Sequence, residues 1–245
     1  ENFWGSIATQ LGGDKVEVTS INDNPATDPN DYEPTAADAR TVASAALVIV
    51  HGVGYDGWAT KLLAANPTSS RHVINVGTLV GAASDGNPHR WYNPDDVHRV
   101  IDAITTSLIA ADPKDADYFT EQQKAYETTG LSRYHSLIAD IKAKYAGTRV
   151  GASESIFAML APALGLNLVT PPAFLRAISE GTDPTASDKT TIDKQIEGHE
   201  IKVYVYNSQN ATPDVQAQVD EARAAGIPVT TITETLVPAT ASFQD

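Results

Sequence analysis

The chain has 245 residues and no cysteine, and its 17 Lys plus Arg stand against 31 Asp plus Glu, which gives a formal net charge of −14. The lack of cysteine excludes thiolate metal sites, thiol nucleophiles and redox pairs. The negative charge repels nucleic acid and anionic lipid, so we expect no nucleic-acid partner and regard cations as the natural small partners. No apolar run approaches the roughly 20 residues of a spanning helix, and we expect a soluble segment trimmed from a signal or anchor.

Short apolar runs separated by helical patterns predict an α/β fold. The first helical pattern places Phe3, Ile7 and Leu11 on one stripe and ends at Gly12 and Gly13. The runs that follow do not alternate strictly, which is typical of strands covered on both faces of a parallel sheet. The predicted strands are 16–18, 47–50, 73–76, 149–152, 202–206 and 228–232.

Two helix starts organise the rest of the chain. Asn93 followed by proline begins one helix, and Asp112 followed by proline opens the longest helical pattern, which runs to about Gly147 with Gly130 as its weak point. Strands and helices alternate on both sides of this pattern, which predicts two Rossmann-like α/β lobes joined by one long backbone helix. The predicted boundaries are 1–112 for the N-terminal lobe, 113–146 for the linking helix and 147–245 for the C-terminal lobe.

The segment GVGYDG at 52–57 matches the glycine pattern of a dinucleotide-binding turn. The acidic residue expected about 20 positions later is absent, and Tyr55 and Asp56 put bulk and negative charge where a pyrophosphate would lie. A glycine-rich strand-to-helix turn is the better interpretation. The chain also lacks the G-x-S-x-G and H-E-x-x-H motifs, so we predict no catalytic residue and no resident cofactor.

Two residues have a context that suggests a specific role. His89 lies in GNPHRWYNP, where Pro88 and Pro94 restrict the backbone and aromatic residues surround the imidazole. Glu154 follows a predicted strand and begins an apolar helical pattern, SIFAMLAPALG. A favourable interaction with the helix dipole is the alternative explanation for that glutamate.

Five segments, taken in order, resemble one family: the metal-binding receptors of zinc or manganese ABC importers, the TroA-like group of solute-binding proteins. The segments are DPNDYEPT (28–35), HGVGYDGW (51–58), NPHRWYNP (87–94), ESIF (154–157) and TITETL (231–236), and the resemblance covers nearly the whole chain. It implies a helical-backbone metal receptor whose ion lies between two lobes. By position, the implied ligands are Asn30, His89, Glu154 and Glu234.

The first of these positions departs from the family, which usually has histidine where this chain has Asn30. An asparagine carbonyl can ligate a cation without adding charge, and a bound water could replace it. His51 stands where the family more often has asparagine, so an exchange of roles between the two loops is an alternative. One imidazole with three oxygen donors suits manganese, whereas the general order of affinities favours zinc.

The resemblance implies that Zn²⁺ or Mn²⁺ is a transported ligand and that the protein is not an enzyme. It also implies an extracytoplasmic monomer, in the periplasm or lipid-anchored at the cell surface, whose partner is the membrane permease of an ABC importer. Two other functions stay open. One is a metal-dependent hydrolase with an open position near Asn30 for an activated water. The other is a surface adhesin-like protein with a degraded metal site.

Overall fold

A computed structural model describes residues 1–24 and 32–245 of the chain. These residues form two compact units, Glu1–Tyr134 with Thr235–Asp245, and His135–Glu234. The sequence interpretation assigned residues 235–245 to the C-terminal lobe, whereas the structure groups them with the first unit. The proposed ligand Asn30 lies outside the described residues.

The first unit contains a parallel pair of strands flanked by helices. The pair runs in register from Leu47 beside His72 to Val50 beside Asn75. The strands are β1 (Leu47–Val50) and β2 (His72–Asn75). The helices are α1 (Asn2–Gly12), α2 (Ala36–Ser44), α3 (Gly57–Ala65), α4 (Val76–Val80), α5 (Pro94–Ala111) and α6 (Ala116–Ala125).

The core of the first unit forms where the apolar stripes of α1 and α5 are buried. Residues three or four apart lie on one face of a helix, and the buried positions follow that spacing. They include Ile7 and Leu11 of α1 and Val100, Ile101 and Ile104 of α5, in one cluster with Trp91. The side chain of Asn93 caps α5 by accepting the N–H groups of Asp95 and Asp96, and Pro94 takes the first helical position. This start anchors the loop that carries His89.

The strand predicted at 16–18 is absent from the described structure. Val16 has an extended backbone, but among the described residues β1 pairs only with β2. Residues 15–22 and β1 both line a cavity of about 620 Å³. Residues 16–18 therefore have no neighbouring strand to hydrogen-bond with in the described structure. An apolar run without such a neighbour does not form a strand.

The long helical pattern predicted over 113–146 is divided into several pieces. A 3-10 turn at Pro113–Asp115 precedes α6, a π-helical turn follows at Tyr126–Gly130, and α7 (Ser132–Tyr145) continues the segment. The boundary between the two units falls within α7. No helix in the two described ranges is both long and apolar enough to cross a membrane.

The second unit is built on a parallel sheet with the strand order β4-β3-β5-β6. Phe174, Ile192, Tyr204, Val215 and Val219 fill its core. The strands are β3 (Arg149–Ala152), β4 (Asn167–Leu168), β5 (Tyr204–Asn207) and β6 (Val229–Ile232), and the helices are α8 (Pro172–Ser179), α9 (Ala186–Glu197) and α10 (Pro213–Ala224).

The apolar helix predicted after Glu154 does not form. The segment contains a 3-10 turn at Phe157–Met159 followed by further turns. Its backbone bonds run mostly over three residues, such as Met159 N–H to the carbonyl of Ile156 at 3.3 Å. Pro162 lacks a backbone N–H and interrupts an α-helical ladder, so apolar spacing alone does not produce a helix here.

Candidate metal centre

His89 lies just before α5 in the first unit, and only 2 % of its surface is exposed. Its imidazole packs edge-on against Tyr55 and Trp91, with ring centroids 5.8 and 5.3 Å away. The side-chain oxygen of Asn87 lies 3.0 Å from the backbone nitrogen of His89 and 2.8 Å from its ring Nδ1. A backbone N–H can only donate, so this Asn87 atom is the carbonyl oxygen and accepts a proton from Nδ1 as well.

This hydrogen bond decides which nitrogen of His89 can act as a ligand. With its proton on Nδ1, the neutral ring carries its lone pair on Nε2. Burial, with a further contribution from nearby His51, lowers the pKa of His89 to about 3. The imidazole is therefore neutral at neutral pH. A neutral imidazole whose second nitrogen donates to an amide or carboxylate oxygen is the usual form of a metal-binding histidine.

His51 is also buried, but both of its ring nitrogens have partners of another kind. The Trp4 indole N–H lies 3.2 Å from Nδ1. Because the indole can only donate, Nδ1 accepts and the ring proton lies on Nε2, which faces the Glu1 carboxylate. These contacts hold His51 inside the first unit. The exchange of roles with Asn30 stays an alternative, because Asn30 lies outside the described residues.

The GVGYDG loop binds a carboxylate of the protein itself. The Asp56 side chain accepts the N–H of His51 at 2.6 Å and that of Gly52 at 3.0 Å. Gly52 has a φ of 71° and Gly54 a φ of 82°, which explains the two glycines of the turn. Asp56 thus occupies backbone amides that a phosphate would need, and the geometry agrees with a strand-to-helix turn.

In the second unit, two buried carboxylates follow the ends of parallel strands. Glu154 comes two residues after β3 and Glu234 two residues after β6. Their exposed fractions are 0 % and 1 %. All strands of the sheet run in the same direction, so their carboxyl ends lie at one edge, where ligands of parallel sheets bind.

Amide groups hold these carboxylates in place. The Asn207 side-chain nitrogen donates to Oε1 of Glu154 at 2.5 Å and to Oε1 of Glu234 at 2.8 Å. Asn210 donates to the second oxygen of Glu154 at 3.1 Å, and the backbone N–H of Glu234 donates to the Gln209 side chain at 2.6 Å. One oxygen of each carboxylate thus lies within hydrogen-bond distance of the same nitrogen atom.

The sequence interpretation missed the amides of this cluster. Asn207, Gln209 and Asn210 belong to the segment YVYNSQN, which ends β5 and continues beyond it. The signal in the sequence was a run of amide side chains at the carboxyl end of a buried strand. Amides are poor ligands compared with histidine and carboxylates, so a search for charged or imidazole donors passes over them.

The fold is shared with a solved metal-binding protein. A manganese-bound mutant of the periplasmic metal binding protein from Candidatus Liberibacter asiaticus matches with a TM-score of 0.81 and 20 % identity, over 99 % of this chain and 91 % of that one. The chain therefore has the α/β fold of this class of periplasmic metal-binding proteins, which confirms the predicted fold class.

Sequence comparisons identify the family. The model of the family ZnuA, "Zinc-uptake complex component A periplasmic", matches residues 1–245, so the chain belongs to this family. The manganese ABC transporter substrate-binding lipoprotein PsaA of Streptococcus pneumoniae is 28 % identical over 84 % of this chain and 70 % of its own length. The manganese-binding lipoprotein MntA of Halalkalibacterium halodurans is 28 % identical over 50 % of this chain, and that match spans only 41 % of MntA. The resemblance identified in the sequence is confirmed.

Proposed function

We propose that the chain is the substrate-binding receptor of an ABC importer, which captures Zn²⁺ or Mn²⁺ outside the cytoplasmic membrane and delivers it to a membrane permease. The family and the names of the relatives support this function. The chain acts as a monomeric carrier of the ion, in the periplasm or lipid-anchored at the cell surface, rather than as an enzyme. Its acidic surface, with a net charge of −14, favours the approach of cations and disfavours nucleic acid.

The observation that carries the proposal is the pair of buried carboxylates, Glu154 and Glu234, within hydrogen-bond distance of one amide nitrogen. Burying charge is costly, and a divalent ion offsets two negative charges at once. His89 adds a neutral, buried imidazole with its lone pair on Nε2. We propose that these three side chains ligate one ion, with Asn30 or a water as the fourth ligand.

The proposal includes both Zn²⁺ and Mn²⁺ as transported ions. Carboxylate and amide oxygens suit Mn²⁺, whereas the imidazole and the general order of affinities favour Zn²⁺. Zinc would bind these donors at about 2.0–2.2 Å.

Calorimetric titration of metal-free protein with each chloride salt tests the function. We expect one ion per chain, bound at micromolar concentration or tighter. His89→Phe should weaken binding by about 100-fold, or about 3 kcal/mol, because the ring is kept and the ligand is lost. His51→Phe removes the other buried imidazole of the first unit, and His72→Phe is a matched control in β2.

The two histidine controls separate the alternatives for the first unit. Both His51→Phe and His72→Phe should change the affinity by less than about threefold, or about 0.7 kcal/mol. If His51→Phe abolished binding while His89→Phe did not, the ligand of the first unit would be His51. Failure of the wild-type protein to bind either ion would overturn the function itself.

A further inference from the structure

A second group of metal-binding side chains lies on the surface of the first unit, between α5 and the π-helical turn. His98 and Asp102 are four residues apart on α5, so their side chains lie on one face of the helix. Glu127 is the second residue of the π-helical turn. One possible ligand atom from each of these three residues lies within 4.8 Å of the other two. The group shares no residue with the proposed receptor site.

The imidazole of His98 stands between the two carboxylates. Its Nδ1 lies 2.9 Å from Oε1 of Glu127. Its Nε2 lies 3.8 Å from Oδ2 of Asp102, which is too long for a hydrogen bond. An ion with bonds of about 2.1 Å separates neighbouring ligand atoms by roughly 3.0–3.5 Å. Small rotations of the side chains therefore suffice to bring all three around one ion.

The two carboxylates are short of positive charge. Among the described residues, neither Asp102 nor Glu127 forms an ion pair with Lys or Arg. Oε1 of Glu127 is buried and accepts no hydrogen bond from the described part of the chain, although Nδ1 of His98 lies near it. A buried carboxylate oxygen without a donor is costly, and a bound cation removes that cost.

A hydrogen bond from α6 orients the Asp102 carboxylate. The side-chain nitrogen of Gln123, four residues before Glu127, donates to Oδ1 of Asp102 at 2.6 Å. Oδ2 is therefore the oxygen on the side of His98. Hydrogen bonds of this kind commonly hold the carboxylates of metal sites. The side chains of His98 and Asp102 are 63 % and 54 % exposed, so an ion reaches them directly from solvent.

We propose that His98, Asp102 and Glu127 form a second, weaker site for a divalent transition-metal ion on the surface of the first unit. One imidazole and two carboxylates suit Zn²⁺ or Mn²⁺, and the carboxylates neutralise its charge. Water completes the shell of a site with three protein ligands. The ion cross-links α5 to the π-helical turn. This site does not depend on the proposed receptor function.

Calorimetric titration with zinc chloride, continued beyond saturation of the receptor site, tests this inference. We expect wild-type protein to bind a second zinc ion with lower affinity than the first. His98→Gln and Glu127→Gln each remove one ligand of the second ion, so each should weaken it at least about tenfold. Both variants should bind the first ion as wild-type protein does.

Two control variants remove the same residue types elsewhere. His135→Gln, at an exposed histidine of α7, and Glu121→Gln, at an exposed glutamate of α6, should leave both binding steps unchanged. Nuclear magnetic resonance of the imidazole nitrogens locates the ion, because the signals of His98 should shift during the second step and those of His135 should not. Thermal melting in chelator checks that each variant is folded.

The outcomes separate this site from the receptor site. The inference is supported if the second ion is weakened in His98→Gln and Glu127→Gln but not in the controls. It is overturned if no second ion binds, if the two variants keep that ion, or if the controls lose it equally, since the acidic surface would then hold it without a defined site. If wild-type protein lacked the first ion but kept the second, the receptor function would be overturned and this inference would stand.

Discussion

Two buried histidines of the first unit show how neighbours decide what a side chain can do. His89 donates its Nδ1 proton to Asn87, which leaves the lone pair on Nε2. His51 accepts from Trp4 at Nδ1, which leaves its proton facing the Glu1 carboxylate. The imidazole of His89 can therefore act as a metal ligand, whereas that of His51 joins Trp4 to Glu1 within the first unit. The tautomer is decided by the partner atoms and not by residue type.

Tyr204 gives the core of the second unit a pH-sensitive contribution to stability. Its hydroxyl donates to Gln218 at 2.5 Å in the core. Burial, and then the negative charges of Asp193 and Glu221, raise the pKa of Tyr204 well above its ordinary value. The unfolded chain ionises this phenol near pH 10 while the folded chain does not, so the free energy of unfolding falls as pH rises above about 10.

Tyr204→Phe should change stability in two ways. Near neutral pH the free energy of unfolding should drop by about 1–3 kcal/mol, because Gln218 loses a buried partner. Above pH 10 the variant should lose less stability with rising pH than the wild-type protein. Urea unfolding at several pH values measures both effects. Tyr145→Phe, at an exposed tyrosine in the same unit, should leave the alkaline slope unchanged, and an unchanged slope in Tyr204→Phe would contradict the prediction.

At the scale of elements, buried strands with a partner were predicted well. The runs LVIV and RVGA form β1 and β3 at the predicted residues, and YVYN and VTTI form β5 and β6 within two residues of the prediction. The run VEV at 16–18 also contains β-branched valines but makes no ladder in the described structure. Apolar character predicts burial, whereas strand formation also needs a neighbour to pair with, which a local pattern cannot supply.

One helix prediction was wrong and another missed a local departure from α-helical bonding. The segment after Glu154 has helical apolar spacing but contains Pro162 and turns into 3-10 geometry. The long pattern after Asp112 contains a π-helical turn, in which the Leu131 N–H donates to the carbonyl of Tyr126 at 2.8 Å. Gly130 was the weak point predicted within that pattern. Single-residue insertions of this kind are set by tertiary packing and leave little trace in periodicity.

Gly130→Ala tests the packing of the π-helical turn. In an ordinary helix interior this change stabilises by about 1 kcal/mol. Here an added Cβ would come 2.7 Å from the ring of Tyr126, which is buried. We therefore expect the free energy of unfolding to fall by about 1–3 kcal/mol, the usual effect of overpacking. Chemical denaturation followed by circular dichroism measures the change.

The matched control for this prediction is Gly57→Ala at the start of α3. A Cβ at Gly57 would meet none of the described atoms within 4 Å. This variant should be as stable as the wild-type protein or slightly more stable. If Gly130→Ala were also stabilising, the turn would have to relax to regular α-helix, and the π-helical geometry would not be a requirement of the fold.

For the whole molecule, the ordered set of segments predicted more than any single motif could. Family and fold class are confirmed by the family model and the solved structure. The structure brings Glu154 and Glu234 together in the second unit and buries His89 in the first, while Asn30 stays a prediction outside the described residues. The amide of Asn207 could not be identified from sequence, because its role depends on the order of strands in the sheet.

The proposed ligands come from both units, which predicts that one ion stabilises both. His89 belongs to the first unit, and Glu154 and Glu234 belong to the second. The three tryptophans of the chain, Trp4, Trp58 and Trp91, all lie in the first unit, so their fluorescence reports the unfolding of that unit. Zinc at about 100 times its dissociation constant should stabilise the protein by about 2.7 kcal/mol. The tryptophan-detected melting midpoint should therefore rise by roughly 5–10 °C.

His89→Phe separates a shared ion from one held by the second unit alone. This variant leaves the carboxylates intact, so zinc should still raise the melting midpoint measured by circular dichroism, by a smaller amount than in the wild-type protein. The melting midpoint measured by tryptophan fluorescence should rise much less on addition of zinc, because the first unit no longer supplies a ligand. Magnesium at the same concentration controls for ionic strength. If zinc moved only the circular dichroism midpoint in the wild-type protein, the ion would be bound by Glu154 and Glu234 without His89, and the shared site would be wrong.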